Sequence, residues 1–585
     1  MRRQTAIGIL VALAALFGYL ALRVLVNLYT DWLWFDRLGY GSAFVTMAST
    51  RGLCLLAFWV VFAAFAGGNV WLARIFGSRT REMQLEVFDG DSVPRIPSQL
   101  KRTRYIWAAA IVGLGFFAGA GGTPIWEIVL RYLNPVPFGD RDPIFGRDIA
   151  FYIFDLPLYN YIYVWLMAAV ATTSLLVLIS YYQDRSLRND SGSWIATPYV
   201  LAHVSGLASA VALLMAWGYW LKEYELLFSY RKDAFFGAGY TDLHAQIYAY
   251  RTMLVLAVGA GSLLAANFRL KRWDIARLTC YGYIGSLFLL SWLLPILFER
   301  FVVRPNELSL EAPYIRHSID HTRKAYGLDR VEEVEFAGES NLTFRDVETN
   351  LTTIRSIPLW DRRPLMDTYG QLQEIRSYYN FGSVDVDRYR INSQYRQVML
   401  AAREFSRQQL AIRGETWVNR HLVYTHGYGI CMSPANEVAG EGLPEFYIKD
   451  IPPVSPVGFE IERPEIYYGE GMRDYVVVKS KTDEFDYPRG DENVYTSYVG
   501  RGGVPVNSLL RRVAFAVRFG DPYLLVTDNL TSQSRILFDR HIGRRYRDEE
   551  PRRFQKLAPF LQFDEDPYLV TVDGRLVWIQ DAYTI

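Results

Sequence analysis

Two consecutive stretches decide the fold: LTCYGYIGSLFLLSWLLPILF at 278–298 and RPNELSLEAPYIRHSIDHTRKAYGL at 304–328. The first is an apolar run long enough to cross a bilayer. The second carries charges throughout and belongs in water. Upstream of this junction the chain is mostly apolar runs near the ~20 residues that a hydrocarbon core requires. Downstream, as far as Ile585, there is no such run.

Working back to the N-terminus, Arg2 and Arg3 precede an apolar run over 6–28, too long for a signal-peptide core and followed by no A-x-A cleavage site. It reads as an uncleaved first span. Further spans are expected at about 52–72, 105–122, 161–182, 198–220, 248–266 and 278–298, giving about seven. Arg74, Arg79, Arg81, Arg95, Lys101, Arg102 and Arg104 lie between spans two and three. Arg185 and Arg188 follow span four, and Arg269, Lys271, Arg272 and Arg277 follow span six. The positive-inside rule makes these loops and the N-terminus cytoplasmic, and an odd number of spans then puts the C-terminal part outside.

The averages agree with a chain of two characters. Hydrophobic residues make up 51% of the 585, yet mean hydropathy is only +0.04, as when an apolar half is averaged with a charged one. A net charge of +1 supplies no field to attract nucleic acid. Aromatic content is 15%, and Tyr and Trp suit membrane interfaces. Of three cysteines, Cys54 and Cys280 fall in spans and Cys431 is alone beyond them, so that half has no disulfide framework and no zinc pattern. An outer domain without disulfides fits a bacterial or archaeal envelope.

The half beyond the junction mixes helical and strand periodicities. Pro313 suits a helix start, with the helix ending at Gly327. This helix is expected to pack on the outer loops, those at 29–50, 123–160 and 221–247, and especially on 126–159. Asp361 and Pro364 introduce a second helix with Leu365, Tyr369, Leu372, Ile375 and Tyr379 on one face, and a short helix is expected at 416–424. Strands are expected at 388–391, 397–401, 475–479 and 523–527. YLVTV and RLVWI flank Asp573-Gly574, a hairpin turn signal. The fold expected is an α-helical multi-pass bundle over 1–303 followed by an α+β extracytoplasmic domain over 304–585.

Several long stretches carry a family resemblance: PFGDRDPIFGRDIAFYIFDLP at 137–157, the 304–328 stretch, PLWDRRPLMDTYGQLQEIRSYYNF at 358–381, TWVNRHLVYTHGYGICMSPANEV at 416–438, TDEFDYPRGDENVYTSYVGRGGVP at 482–505 and LAPFLQFDEDPYLVTVDGRLVWIQDAYT at 557–584. The chain resembles the uncharacterised protein family 0182, bacterial and some archaeal integral membrane proteins. The resemblance implies a multi-pass half with a large extracytoplasmic domain, and it implies no activity, substrate or catalytic residue. Members usually continue beyond the segment resembling WIQDAYT, so the chain reads as C-terminally shortened, with a terminal hairpin short of sheet partners.

Candidate chemistry is sparse. His317 and His321 lie one helical turn apart, as in zinc sites, but HSIDH lacks the HExxH glutamate, and Arg316 and Lys324 repel a cation. A polar helix face is the plainer reading. His426 in THGYG, paired with Glu437 or Glu441, is the candidate for general acid–base work, set against a structural histidine in a tight loop. Asp483, Glu484, Asp486, Asp491 and Glu492 offer oxygen ligands of the kind calcium takes, but no D-x-D-x-D-G loop, and Lys481 and Arg489 are near enough to pair with them. His203 in span five is the main intramembrane polar residue, either part of an ion path or a hydrogen bond between helices. Gly115 and Gly119 form a small-xxx-small pattern that lets helices approach. With no GxxxxGK[ST], GxGxxG or G-x-S-x-G, no cofactor is expected. The expected partners are the lipid bilayer and an envelope protein, lipid or polymer. A non-enzymatic envelope binding protein leads, with a transporter or export component and a surface enzyme as alternatives.

Overall fold

The computed structural model describes residues 2–584 apart from 87–98, 185, 191–192, 232–234, 337, 339–340, 407–415 and 543–552; in addition, the side chains of 2–14, 17, 78–86, 99–104, 188–190 and 193–196 lie outside the description. The chain folds as membrane helices followed by a strand-rich α+β region. Its compact units are Met47–Glu335, and Met1–Thr46 together with Phe336–Ile585. These divisions differ from the hydropathy boundary at 303/304 at both ends.

The first helix, α1 (Arg2–Arg37), is followed by α2 (Gly41–Glu86), α3 (Gln99–Gly121), α4 (Trp126–Leu133), α5 (Leu156–Gln183), α6 (Pro198–Glu225), α7 (Ile247–Leu270), α8 (Trp273–Ser286), α9 (Leu294–Phe298) and α10 (Glu307–Ala325). A short hairpin, β1 (Leu187–Asp190) with β2 (Ser193–Ala196), joins α5 to α6. Among the described residues six helical stretches are long and apolar enough to cross a membrane: Gly41–Gly77, Tyr105–Leu133, Phe151–Gln183, Pro198–Phe228, Asp242–Leu270 and Trp273–Ala325. Each contains one expected span. The N-terminal part of the first expected span, in α1, falls on side chains outside the described residues, as do the basic residues Arg79, Arg81, Arg95, Lys101, Arg102, Arg104, Arg185 and Arg188.

Small and polar residues set the helix packing. A Cβ on Gly115 would sit 2.6 Å from the Trp59 ring, and one on Gly119 would sit 2.6 Å from the Leu55 carbonyl, so α3 lies directly on α2. Asn267 donates to Ser205 at 3.0 Å and Ser209 to the Gly261 carbonyl at 2.7 Å, joining α6 to α7. The first part of the 137–157 motif, 137–148, is a loop closed on two aspartates, and the rest is helical and runs into α5. Asp142 accepts from the amides of Ile144 and Arg147 (2.9 Å each), and Asp148 from those of Gly139 (3.0 Å) and Ala150 (2.8 Å).

Helix α10 begins at Glu307, so Pro313 stands inside it rather than at its start. Its main partner is the 236–241 loop. Buried Glu311 accepts the Tyr240 amide at 2.9 Å, and Ser318 donates to the Phe236 carbonyl at 3.4 Å. The helix thus packs on one of the loops expected, but chiefly on 221–247; on 126–159 it makes the ion pair of Lys324 with Asp140. These contacts keep α10 with the helical unit.

In the other unit, α11 (Phe344–Thr349), α12 (Leu351–Ile354) and α13 (Arg362–Gln373) precede β3 (Tyr379–Phe381), β4 (Asp385–Ile391) and β5 (Gln394–Phe405). Then follow β6 (Gly427–Tyr428), β7 (Ile430–Pro434), β8 (Glu465–Ile466), β9 (Val476–Val478), β10 (Glu484–Arg489), β11 (Glu492–Thr496), β12 (Val504–Pro505), α14 (Leu509–Phe519), α15 (Tyr523–Val526), β13 (Arg535–Leu537), α16 (Arg553–Leu557), β14 (Gln562–Phe563), β15 (Tyr568–Val572), β16 (Arg575–Ile579) and β17 (Ala582–Tyr583). Strand β5 is central, pairing antiparallel with β3, β4 and β7. Residues 398–404 are all buried because both faces of the sheet are covered. Val398, Leu400 and Ala402 pack with Ile430, Met432 and Leu569, while Met399 and Ala401 pack with Leu365 and Tyr369 of α13. Asp361 caps α13 through the Arg363 amide. The β15–β16 hairpin forms around Asp573 and Gly574, both at positive φ. The strand expected at 523–527 is instead helix α15, because Pro522 and an Asp521 side chain that accepts the Tyr523 amide start a helical turn.

The end of α1 belongs to this unit. Asp31 accepts from Arg518 of α14 and from Lys556 of α16, each at 2.7 Å, and Asp539 completes the cluster. Buried Leu33, Trp34 and Phe35 fill the space beside Phe538.

Candidate binding cleft

Alternation along β5 sends two neighbouring charges in opposite directions. Arg403 turns toward α13. It donates to the Gln373 carbonyl at 2.9 Å and the Tyr428 carbonyl at 3.0 Å, and touches Cys431 Sγ at 3.2 Å. Burial pushes the Cys431 thiol up to about 11, so it stays protonated and inert. Glu404 turns the other way, into the floor of a cavity of about 930 Å³.

The cavity gathers separated segments: Arg362 and Arg363 of α13, the 382–385 turn, Glu404–Ser406, Tyr424–Thr425, Glu470–Asp474, Arg540–His541 and Asp566. Glu404 accepts the amides of Glu470 and Gly471 at 2.6 Å each. Gly469 allows this, since a Cβ there would strike the Glu404 carboxylate. Burial, with the Glu470 carboxylate adding to it, pushes Glu404 up to about 7 against the pull of those two amides. Asp385 accepts the Leu569 amide at 3.0 Å, and burial, with Glu470 and Asp566 nearby, lifts it to about 7 as well. Ser383 donates to Glu470 at 2.8 Å. Arg540 braces the floor, donating to the carbonyls of Tyr467 and Thr425 at 2.6 Å each, and burial lowers it to about 10.

Beneath Thr425 lies the expected histidine. His426 is buried; its Nδ1 is 2.8 Å from Thr425 Oγ1, which itself donates to Glu484 at 2.6 Å. The single hydroxyl proton goes to Glu484, so Nδ1–H is the ring donor toward Thr425. His426 Nε2 is 3.4 Å from Asp486, and Tyr467 donates to Glu484 at 2.9 Å. Thus His426 meets two carboxylates of the acidic segment, which is the β10–β11 hairpin. It does not meet Glu437, which binds Arg396 at 2.6 Å and Tyr447 at 3.3 Å, nor Glu441, which is exposed in a turn. The cluster is walled in, with the His426 side chain 0% exposed, so it props up the cleft floor.

The other candidates scatter. His317 and His321 are exposed on α10, and Asp483 and Asp491 are exposed on the β10–β11 hairpin. Among the described residues no group of three or more His, Cys, Asp or Glu is arranged to hold a metal ion. His203 bonds Tyr181 of α5 at 2.8 Å and Asn69 of α2 at 3.1 Å, so both ring nitrogens are used in helix packing. Sequence reasoning missed Glu404, Asp385 and Arg540. A signal was present for the first: Arg403-Glu404 closes the apolar run VMLAA inside a strand, where charges must find buried partners.

The model of the Uncharacterised protein family (UPF0182) matches residues 7–585. The chain belongs to this family. A UPF0182 protein of Cupriavidus necator is 40% identical over 578 residues, covering 98% of this chain and 62% of the relative. One from Sulfurovum sp. is 40% identical over 581 residues, again covering 98% and 62%. One from Geotalea uraniireducens is 39% identical over 590 residues, covering 100% and 64%. The chain therefore spans a little over three-fifths of the length of the curated relatives it matches. No solved structure matches it.

Proposed function

We propose that this UPF0182 chain is a non-enzymatic binding protein of the cell membrane, which holds its strand-rich unit outside the cytoplasm and takes an envelope partner into the 930 Å³ cleft. The observation carrying this reading is the cleft itself: a large concavity lined by guanidinium and carboxylate groups that converge from distant parts of the chain. Binding is favoured over catalysis because both Glu404 oxygens are held by backbone amides and His426 is sealed beneath the floor. The outward orientation draws on two supports. The basic loops make the N-terminus cytoplasmic. The Asp31–Arg518 ion pair requires the end of α1 and the strand-rich unit to share one side, and six intervening spans, an even number, return the chain to that side.

The test is a photo-crosslinker attached through cysteine at exposed position 363 on the cleft rim, with position 388 on β4 as control, in full-length protein in living cells. Envelope material labelled from 363 and not from 388 supports the reading. Equal labelling from both positions, or none from either, refutes it.

A further inference from the structure

We infer that the cleft continues into a second cavity to form one groove for a linear, hydroxyl-rich glycan; this rests on the binding reading above and names the ligand class. The second cavity, about 720 Å³, shares Arg473, Asp474, Arg540 and His541 with the first, so the two meet along a common wall. Its other side is aromatic. Trp417 and Tyr523 lie 5.8 Å apart between ring centroids at an interplanar angle of 31°. His421 stacks on Tyr475 at 4.1 Å, and Tyr475 on Phe519 at 4.4 Å.

One carboxylate holds this wall. Asp521 accepts from the Trp417 indole at 2.7 Å, from the Tyr475 hydroxyl and from the Tyr523 amide at 3.0 Å. The Trp417 and Tyr475 rings are therefore held before any ligand arrives, which lowers the ordering cost of binding. Tyr523 is the outermost ring, 57% exposed. In the first cavity Phe405 and Tyr424 stack at 5.1 Å, so aromatic surface runs through both.

Charge selects the ligand class. The first cavity is lined by Arg362, Arg363, Arg473 and Arg540 and by Asp385, Glu404, Glu470, Asp474 and Asp566. A polyanion meets the carboxylates, a polycation meets the guanidiniums, and a lipid tail would leave both signs desolvated at high cost. Sugar hydroxyls donate to carboxylates and accept from guanidiniums, while the C–H faces of pyranose rings lie on aromatic rings. A chain of sugars also matches an elongated groove of two joined cavities, where a single small molecule would occupy only one.

The test uses the full chain in detergent micelles, titrated with β-1,4-linked glucose and N-acetylglucosamine hexasaccharides, the matching trisaccharides, polyphosphate and polylysine. At least one hexasaccharide is expected to bind, and more tightly than its trisaccharide. Tyr523→Ala is expected to weaken that binding about fivefold, while Tyr523→Phe, which keeps the ring, binds as the wild type. Arg362→Ala at the far end is expected to weaken the hexasaccharide and leave the trisaccharide less affected. Failure of both hexasaccharides to bind, indifference to Tyr523→Ala in a variant that melts normally, or preferential uptake of polyphosphate or polylysine overturns the inference. If the crosslinker at 363 meanwhile captures a protein or lipid, the glycan assignment alone fails. Should it capture nothing beyond the 388 control, the cleft reading fails with it.

Discussion

Replacing Asp385 by Asn should stabilise the protein at pH 8 and do little at pH 4. Asp385 is 6% exposed at the start of β4, and burial holds its proton to about pH 7, against a starting value of 3.8. Its folded value lies above its unfolded one, so between these limits the native state binds more protons, and stability falls as pH rises through the window. The gap is about three pH units, or about 4 kcal/mol at ~1.36 kcal/mol per unit, fully expressed above pH 7. Asn keeps an oxygen to accept the Leu569 amide and carries no charge to desolvate. The variant should therefore gain about 4 kcal/mol at pH 8, roughly 10 °C in melting temperature for a unit of this size. At pH 4 the gain should shrink below about 1 kcal/mol. Glu404 titrates in the same sense but is present in both proteins, so the pairwise comparison removes it. Thermal melting of both proteins in one detergent, from pH 4 to pH 8, reads the difference. A gap that stays constant across this range, or a variant that melts below the wild type at pH 8, would refute the reasoning.

Three further changes have defined outcomes. Gly427→Ala should cost more than about 3 kcal/mol by melting, because its Cβ would lie 2.8 Å from Glu404 Cα on a central strand that cannot retreat. Asp31→Ala should cost about 2 kcal/mol and expose the end of α1 to hydrogen exchange, since Arg518 and Lys556, only 13% and 17% exposed, would be left to share Asp539. His203→Phe should cost about 1 kcal/mol by loosening the α2–α5–α6 junction, read by thermal melting of the membrane-embedded protein, because it deletes hydrogen bonds to Tyr181 and Asn69 while keeping an aromatic ring.

Much of the fold was legible because its signals are local. A membrane span is declared by its own length and hydropathy, so six of the expected spans fall inside observed helices. Asp573-Gly574 sets its hairpin by backbone conformation alone, and Asp361 caps α13 from two residues away. Length failed at 523–527, where a run of four or five apolar residues fits a strand or a helical turn equally well, and Pro522 and Asp521 decided for the turn. The cleft was illegible for a different reason. Glu404 is positioned by Gly469 and Gly471, and Asp385 by Leu569, so the partners stand far apart in sequence with no spacing to mark them. His426 shows the intermediate case: its loop glycines marked it, but its nearest carboxylates are Glu484 and Asp486, on the acidic segment read as calcium-type ligands and as the surface-enzyme alternative's companion to His426, and not Glu437 or Glu441.

The same distinction explains why the domain boundary moved. Hydropathy assigns α1 to the spans, since 6–28 is apolar, and it ranks the polar end TDWLWFDR as a loop. That end carries two carboxylates, Asp31 and Asp36, and three large rings, an arrangement that water would accept as readily as protein. What fixes it is the surplus of positive charge on Arg518 and Lys556, which share Asp539 between them and need a second anion. Asp31 is that anion, and Trp34, packed against Phe538 and beneath Arg553, excludes water from the pair. The strand-rich unit is thus incomplete when cut at the hydropathy boundary: its cationic cluster is neutralised from the opposite end of the chain. The first helix serves as a structural part of the strand-rich unit, which explains why residues before 47 and after 335 fold together while the apolar runs between them form a unit of their own.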